Sequence, residues 1–343
     1  MSEEQSKAIE TLIRAVNKTY GDNSMYSFGK VKPVPVECVP TGSLALDFAI
    51  GGKEKFMGIP MGRITELWGP KDSGKTTLCN HIIANAQRMG KPTFYFDFEH
   101  SYDPFYAKAI GVDIDKLIFS QGSELEQGWM IVESVMHAVP GSVIVIDSIA
   151  AMSPRTELEA EMDDDNIGRQ AKKLAQAMRR NMGRARESGT AIVCTNQVRH
   201  IIGAGKGRPT ETSAGGEAFR HALSLKINLY PSKMEKVGGE VVARTVIATV
   251  KHSKIARPYG KATYRLEFGK GVDTVPELIT FGVMAGALES KGAYYYMSGV
   301  EKFFAQGADS AAKYMRDNPE IAADVRKTIT EYVVHEEEEN AEV

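Results

Sequence analysis

The stretch that decides the fold is Gly69-Pro70-Lys71-Asp72-Ser73-Gly74-Lys75-Thr76, which matches the phosphate-loop pattern G-x-x-x-x-G-K-T. Residues 63–68 before it have the composition of a short strand, and apolar residues at helical spacing follow it as far as Gly90. A glycine loop between a strand and a helix N-terminus binds anions, because its backbone N–H groups point inward and the helix dipole favours negative charge. A chance glycine turn before a helix would lack this context.

We therefore predict that this loop binds a nucleoside triphosphate. Lys75 is expected to reach the β- and γ-phosphates, and the Thr76 hydroxyl is expected to bind Mg²⁺. The predicted nucleotide-binding residues of this segment are Gly69, Pro70, Asp72, Ser73, Gly74, Lys75, Thr76 and Thr77.

The composition excludes several classes of protein. The 343 residues suffice for one large domain and a smaller one, and 42 Lys and Arg nearly balance 44 Asp and Glu, so any nucleic-acid site must be local. Cys38, Cys79 and Cys194 lie far apart, which argues against a disulfide framework or a zinc site. The polar N-terminus and the lack of a long apolar run predict a soluble, cytoplasmic protein with no membrane partner.

The pattern of elements predicts four segments. Residues 1–35 contain an amphipathic helix and a proline-punctuated linker, and residues 36–270 alternate strand-like and helix-like patterns, typical of an α/β domain with a mostly parallel, twisted sheet. Residues 271–335 form a small α/β domain. Residues 336–343 form an acidic tail that we expect to be disordered.

Polar residues at the ends of three predicted strands suggest ATP hydrolysis. Asp147 ends the apolar strand 143–147 and can hold Mg²⁺ through water. Glu99 ends the strand 94–99, where it can orient the attacking water, although a solvated strand end or a helix-capping acid would look the same. Gln197 follows the strand 191–196 and leads into a long irregular loop, so it can sense the γ-phosphate; a plain capping amide is the alternative.

Two neighbouring segments could bind a nucleic-acid backbone. Residues 169–186 carry seven positive charges and no acid, with a predicted apolar face of Ala171, Leu174, Ala175, Met178 and Met182. A solvated charged face would normally mix both signs. Residues 198–216 form a long loop rich in Gly, Ser and Thr, whose glycines allow close approach to phosphates and whose Ile201 and Ile202 could wedge between bases.

These motifs together resemble the RecA family of strand-exchange recombinases over residues 5–330. The matching segments are residues 40–47, 61–64, the phosphate loop, residues 97–100, Asp103, Pro104, Tyr106, residues 111–115, 176–179, 196–197 and 215–216. The resemblance implies a RecA-like P-loop ATPase core, with Glu99 as the catalytic carboxylate, Asp103 and Tyr106 at the adenine and Gln197 as the γ-phosphate switch.

The resemblance also implies DNA binding and self-association. Two DNA-binding loops would lie around 157–168 and 198–216, and ATP would lie between adjacent protomers of a helical filament. Lys251 and Lys254 would reach it from the neighbour, on which the N-terminal helix would also dock. The predicted DNA-binding residues are Arg169, Lys172, Arg179, Arg199, His200, Ile202, Lys206, Arg208, Ser213, Gly215 and Gly216.

The chain departs from the family pattern at a few positions. The lysine pair has an extra residue between its members, and the 198–216 loop lacks the family's aromatic residue, which makes Ile202 the candidate wedge. His221 stands where the family carries an interface phenylalanine, and the basic residues of the second, duplex-binding site do not map cleanly.

The predicted function is ATP-dependent homologous recombination and DNA repair, with ATP and Mg²⁺ as cofactors. The protein would form filaments on single-stranded DNA, search homologous duplex DNA and exchange strands. Two alternatives remain: a hexameric helicase or translocase on the same core, and a regulatory filament that promotes repressor self-cleavage in an SOS response to DNA damage.

Overall fold

The computed structural model describes residues 2–21, 24–27, 36–159, 168–200 and 211–341, with side chains at all of these except 200 and 333–341. The chain divides into two units, Met1–Val36 and Glu37–Val343. In the described part of the chain, no helix combines the length and the apolar character needed to cross a membrane.

Among its described residues, the first unit contains one helix, α1 (Glu3–Tyr20). A capping box begins it, because Ser2 accepts a hydrogen bond from the backbone of Gln5 and the Gln5 side chain accepts one from the backbone of Ser2. Ile9 and Leu12, on the predicted apolar stripe, are 42% and 54% exposed.

The second unit is built on one large sheet with helices on both faces. Its strands are β3 (Ile64–Gly69), β4 (Thr93–Asp97), β5 (Leu117–Gln121), β6 (Val143–Asp147), β7 (Ala191–His200), β8 (Glu211–Ser213), β9 (Leu225–Val237), β10 (Glu240–Ser253), β11 (Lys261–Glu267) and β12 (Gly271–Asp273), after a short separate pair of β1 (Cys38–Val39) and β2 (Ile59–Pro60). Its helices are α2 (Leu44–Ile50), α3 (Lys75–Arg88), α4 (Pro104–Ile110), α5 (Leu125–Ala138), α6 (Arg155–Leu158), α7 (Arg169–Ser188) and α8 (Gly216–Ala222).

The strand order is β12-β11-β10-β9-β3-β7-β6-β4-β5, with β8 added to β7. Strands β9, β3, β7, β6, β4 and β5 are parallel, whereas β9 to β12 form an antiparallel meander. The predicted α/β fold with a mostly parallel sheet is therefore confirmed. Its antiparallel part arises because short turns, rather than helices, connect β9 to β12.

Period-two alternation along β4 distributes its side chains between two cores. Phe94 and Phe96 pack in the core beneath α5 and α7, whereas Tyr95 packs in the core beneath α3. Strand β4 ends at Asp97, two residues earlier than the sequence predicts, because the backbone N–H groups of Phe98 and Glu99 both turn toward the carbonyl oxygen of Asp147.

A small domain follows, with α9 (Val275–Met284), α10 (Ala308–Asp317), α11 (Pro319–Ala341) and an antiparallel sheet of β13 (Leu288–Lys291), β14 (Tyr294–Met297) and β15 (Ala305–Gln306). Its own core includes Leu278, Met315 and Ile329. The prediction of a disordered tail from residue 336 differs from the structure, in which α11 continues to Ala341. This stretch contains Glu and Ala, which favour helix, and neither Gly nor Pro to end it.

A buried carboxylate joins the small domain to the core. Glu277 of α9 accepts hydrogen bonds from the Ser43 hydroxyl at 2.6 Å and from the Leu44 backbone at 2.7 Å, at the start of α2. Nearby, Asp47 accepts from the hydroxyl and backbone of Thr41. Burial raises the pKa of Asp47 and of Glu277 to about 7 in each case.

Candidate functional site

The phosphate loop lies at the carboxyl edge of the parallel sheet. Strand β3, which leads into it, is buried along its whole length between β7 and β9. Gly74 precedes α3 with φ +88°, a conformation that favours glycine. At Gly69 a side chain is excluded, because a Cβ there would lie 2.1 Å from the carbonyl oxygen of Leu229.

Lys75 folds back over the loop that contains it. Its Nζ donates to the carbonyl oxygens of Gly69 at 3.2 Å and Pro70 at 2.8 Å. Burial lowers the pKa of Lys75, and the nearby carboxylates of Asp147 and Glu99 oppose that shift. A partly desolvated ammonium at this place can exchange neutral carbonyl acceptors for phosphate oxygens, which form stronger charge-assisted hydrogen bonds.

Asp147 collects hydroxyl donors from three elements. Its Oδ2 accepts from Thr76 Oγ1 at 2.8 Å and from the Tyr95 hydroxyl at 2.7 Å, while its Oδ1 accepts from Thr195 Oγ1. Burial raises the pKa of Asp147, and these three hydrogen bonds act against that increase. The carboxylate is thereby fixed beside the Thr76 hydroxyl.

This donor set fits Mg²⁺. The ion prefers hard oxygen ligands and is usually held by one or two carboxylates together with substrate phosphates and water. Among the described residues, no three His, Cys, Asp or Glu side chains group as a self-sufficient metal site. Thr76 and Asp147 are thus the residues that would hold the ion, together with a bound triphosphate.

Glu99 lies between Asp147 and Gln197 at the same edge. Its Oε1 accepts from the Ser148 hydroxyl at 2.5 Å and from Gln197 Nε2 at 3.3 Å. The Glu99 side chain is exposed and belongs to the turn after β4. Asp97, which the sequence places on the same strand face as Glu99, instead accepts from the backbone of Glu99 and Tyr102 and shapes this turn.

A cavity of about 610 Å³ connects these groups. It is lined by residues 71–77, by Glu99, Asp147 and Gln197, and by Ser101, Tyr106, Arg244, Leu266, Phe268 and Gly269. Tyr106 lies 3.0 Å, oxygen to oxygen, from the Thr77 hydroxyl. Asp103 is not part of the lining; its carboxylate caps α4 by accepting from the backbone of Phe105 and Tyr106.

The strand that carries Gln197 continues beyond the cavity. Strand β7 extends through His200 and pairs with β8 in an antiparallel ribbon, so the flanks of the predicted irregular loop are regular. Extended backbone is favoured here because β8 supplies the hydrogen-bond partners that a free loop lacks. Ile202, Lys206 and Arg208 lie outside the described residues, as do residues 160–167 of the other predicted DNA loop.

A buried polar network connects this ribbon to the strand before the phosphate loop. Asn196 Nδ2 donates to Glu66 Oε1 at 2.8 Å and to the carbonyl oxygen of Ala214 at 2.9 Å. Lys226 forms an ion pair with Glu66 at 2.8 Å and donates to the Ser213 hydroxyl at 2.8 Å. Strands β3, β7, β8 and β9 are thereby linked by polar contacts.

Helix α7 is basic on its exposed side, but part of that charge is neutralised. Lys173 pairs with Glu126 at 3.1 Å, and Arg180 and Arg184 both pair with Glu133 of α5. On this helix, Arg169, Lys172, Arg179 and Arg186 are exposed and form no ion pair with any residue that the structure describes, and the same holds for Arg199 on β7.

The apolar face of α7 differs from the predicted one. Its buried residues are Leu174, Ala177, Met178, Asn181 and Ala185, whereas Met182 is 48% exposed. Helix α8 packs on α7 through two glycines, since a Cβ on Gly215 or Gly216 would lie 2.6 Å from Leu174 Cδ2 or 3.1 Å from Ala171 Cβ. Both glycines also have positive φ. Glycine is therefore favoured at these two positions by the backbone conformation as well as by the close approach of α7.

Lys251 and Lys254 lie far from the cavity in the same chain. Ser253 pairs with Leu225, and Leu225 pairs with Thr65 near the start of β3, whereas the phosphate loop follows the end of β3. Lys254 Nζ donates to the carbonyl oxygen of His221 at 2.9 Å. The two lysines are thus placed at the amino edge of the parallel sheet, opposite to the cavity at the chain's own phosphate loop.

Comparison with protein families agrees with this architecture. The family model of the RecA N-terminal domain matches residues 7–273, and that of the RecA C-terminal domain matches residues 276–334. The chain belongs to the RecA family. The resemblance inferred from the motifs is confirmed, and the chain is in general terms a RecA-type recombinase, from a family whose members bind ATP with Mg²⁺.

Sequence reasoning missed several residues at this RecA-type site. Tyr95, Ser148 and Thr195 all hydrogen-bond to its carboxylates. Ser148 and Thr195 could have been noticed because each adjoins a motif residue. Arg244 and Phe268, by contrast, come from the antiparallel meander more than 160 residues after the phosphate loop, and no local pattern marks them.

Proposed function

We propose that this RecA family member is a DNA-stimulated ATPase that assembles into filaments on single-stranded DNA and exchanges strands with homologous duplex DNA. The observation that carries this proposal is the hydrogen bond between Gln197 and Glu99 at the nucleotide cavity. Gln197 belongs to β7, whose last residues pair with β8 and flank residues 201–210. A group that lines the cavity at the phosphate loop is thereby connected directly to a candidate DNA-binding segment.

The residues at the cavity have complementary roles in hydrolysis. Lys75 and the backbone N–H groups of the phosphate loop bind the triphosphate, and Thr76 and Asp147 hold Mg²⁺. The ion, when bound, neutralises charge on the phosphates. The carboxylate of Glu99, oriented by the Ser148 hydroxyl, positions the attacking water and accepts its proton.

Gln197 would make DNA affinity depend on the nucleotide. A γ-phosphate competes with Glu99 for the Gln197 amide, because the amide can donate to either acceptor. A change at Gln197 is transmitted along β7 to the ribbon that β7 forms with β8. The hydrogen bond from Asn196 of β7 to Glu66 anchors this ribbon to β3. Hydrolysis then releases the DNA by removing the γ-phosphate.

DNA binding would rely on backbone contacts. Arg169, Lys172, Arg179 and Arg199 are exposed and available for phosphates, and the further candidates are His200, Ile202, Lys206, Arg208, Ser213, Gly215 and Gly216. Phosphate contacts carry no sequence information, so base pairing between strands would supply the specificity of exchange. Three of these candidates also have structural contacts: Ser213 accepts a hydrogen bond from Lys226, and Gly215 and Gly216 lie against α7.

Filament formation would complete the nucleotide site. Lys251 and Lys254 cannot serve the phosphate loop of their own chain from the opposite sheet edge, so we assign them to the site of a neighbouring protomer. The amphipathic helix α1, with Ile9 and Leu12 exposed, is proposed to dock on that neighbour.

Strand exchange between circular single-stranded DNA and homologous linear duplex tests the proposal. We expect joint molecules and nicked circles with ATP and Mg²⁺, and none when ATP is omitted or the duplex is heterologous. Electron microscopy of the same mixture should show open helical filaments. Closed rings that unwind duplex DNA without strand exchange would instead support a hexameric helicase.

A further inference from the structure

The nucleotide cavity contains a cationic side chain besides Lys75 that no motif indicates. Arg244 extends from β10, and its Nη1 donates to the carbonyl oxygen of Asp72 in the phosphate loop. Its guanidinium carbon lies 5.1 Å from the ring centre of Phe268, a distance at which a cation and an aromatic face attract each other. Arg244 and Phe268 both line the cavity.

Arg244 retains unused hydrogen-bonding capacity. Its Nε is buried and has no acceptor among the residues that the structure describes, and no carboxylate in that part of the chain forms an ion pair with it. Arg265, one strand away on β11, is the contrasting case, because it pairs with Glu235, Glu267 and Asp273. The charge of Arg265 is thus balanced by carboxylates within the fold, whereas the charge of Arg244 is left unbalanced beside the phosphate loop.

We propose that Arg244 is a nucleotide-binding residue that acts on the phosphate loop of its own chain. Its charge attracts the phosphate chain of ATP, and its planar fork of donors matches phosphate oxygens while Phe268 supports the guanidinium. The proposal rests on the proposed function only in requiring that ATP binds at this cavity. It is separate from the role of Lys251 and Lys254, which lie at the other end of β10.

Arg244 brings a second structural element to the ligand. Lys75 approaches from α3, directly after the phosphate loop, whereas Arg244 approaches from the antiparallel hairpin of β9 and β10. A nucleotide held by both residues would therefore fasten this hairpin to the phosphate loop. Strand β10 leads from Arg244 to Lys251 and Lys254 at the opposite edge of the sheet. The contact of Arg244 with the nucleotide is therefore well placed to connect the two nucleotide sites that flank a protomer.

A purely structural clamp is the competing role, and charge distinguishes the two. Arg244→Gln removes the charge and, because its side chain is shorter, the contact with the Asp72 carbonyl, whereas Arg244→Lys keeps the charge without the planar fork. The readout is the Kd of fluorescent ATP and ADP analogues, titrated with Mg²⁺ and the full chain in the absence of DNA. Lys261→Gln, an exposed charge at the start of β11, is the matched control.

We expect Arg244→Gln to weaken ATP binding about tenfold, or about 1.4 kcal/mol. ADP binding should weaken only about threefold, because the attraction grows with the charge of the phosphate chain. Arg244→Lys should keep the wild-type ratio of ATP to ADP affinity, and Lys261→Gln should match the wild type. Equal losses for both nucleotides, or no loss, would overturn the inference while leaving ATP binding intact. A wild-type protein that binds neither nucleotide would overturn the proposed function, and this inference with it.

Discussion

Gln197 donates a hydrogen bond from Nε2 to Oε1 of Glu99 at 3.3 Å, so the amide of β7 and the carboxylate beside the phosphate loop are in direct contact. Ser148 donates to the same oxygen of Glu99 from the other side. One carboxylate oxygen therefore receives both donors, and a group that withdraws the amide leaves Glu99 oriented by Ser148 alone. In this arrangement Gln197 would sense the nucleotide, whereas Glu99 would act in its hydrolysis.

Shortening Gln197 should uncouple DNA binding from ATP. Gln197→Asn moves the amide back by one methylene, beyond the reach of Glu99, without changing charge. We expect ATP affinity within about threefold of the wild type. The factor by which ATP raises the affinity for single-stranded DNA should fall at least tenfold, which is within the range of typical coupling energies. Fluorescence anisotropy of labelled oligonucleotide, with and without a non-hydrolysable ATP analogue, measures this increase. Gln176→Asn on α7 is the matched control, and an unchanged ATP effect in Gln197→Asn would refute the role of Gln197.

Glu99→Gln should slow hydrolysis while preserving assembly. The amide keeps an acceptor for the Ser148 hydroxyl but cannot accept a proton, so ATP turnover on single-stranded DNA should fall about 100-fold or more. Filaments should then persist longer after dilution, as followed by light scattering. Glu187→Gln, an exposed acid at the end of α7, should leave both quantities unchanged. Loss of DNA binding with hydrolysis intact would contradict the assignment of Glu99.

Lys75→Ala should abolish ATP turnover. The variant loses the ammonium that lies over the phosphate loop and leaves the carbonyl oxygens of Gly69 and Pro70 without this donor. A coupled-enzyme assay should find hydrolysis reduced to background. Lys91→Ala, which removes an ion pair with Glu37 beyond the far end of α3, serves as the control. Retained turnover in Lys75→Ala would place the nucleotide site elsewhere.

The nucleotide-binding half of the site could be predicted because it is local in sequence. Gly69 to Thr77 are contiguous, and the parallel sheet guarantees that Asp147 and Glu99, which follow neighbouring strands, reach the same edge. Arg244 and Phe268 could not be predicted, because their position depends on how the antiparallel meander folds across the loop. Alternation along β4 places Tyr95 on the face opposite Phe94 and Phe96, but nothing in the sequence indicates that its hydroxyl reaches Asp147 on the neighbouring strand.

The basic helix shows a different limit of sequence reasoning. Residues 169–186 contain only positive charges, yet Glu126 and Glu133 on α5 neutralise three of them. Charge patterning within one helix cannot reveal partners contributed by another. The register of its apolar face was misjudged at Met182 for the same reason, because packing against α5 and α8 decides which side of α7 is buried.

Mixing two inactive variants should reveal whether Lys254 acts between protomers. Lys254→Ala keeps an intact phosphate loop, and Lys75→Ala keeps an intact Lys254. If Lys254 serves the neighbour's site, a 1:1 mixture should regain a measurable part of the DNA-dependent ATPase activity that each variant lacks alone. Lys254→Ala also loses the hydrogen bond to the His221 carbonyl, so filament formation is checked by light scattering first. Filaments that form normally but show no recovery in the mixture would contradict an action in trans.

The junction of the two domains predicts a distinct pH dependence of stability. Burial raises the pKa of Glu277 to about 7, and the hydrogen bond from Ser43 and the charge of Arg326 oppose that shift, so the folded protein keeps a proton that the unfolded chain releases above about pH 4.5. The contribution of Glu277 to the free energy of unfolding should therefore fall as the pH rises from about 4.5 to 7 and stay constant above it. Glu277→Gln mimics the protonated acid, since its amide can donate to Ser43 while its carbonyl accepts from Leu44.

Relative to the wild type, the Glu277→Gln variant should unfold at about the same temperature at pH 5 and several degrees higher at pH 8, a difference of about 3 kcal/mol. Thermal unfolding followed by circular dichroism measures this, with the exposed Glu320→Gln as control, and a pH-independent difference would show that Glu277 is ionised in the folded protein.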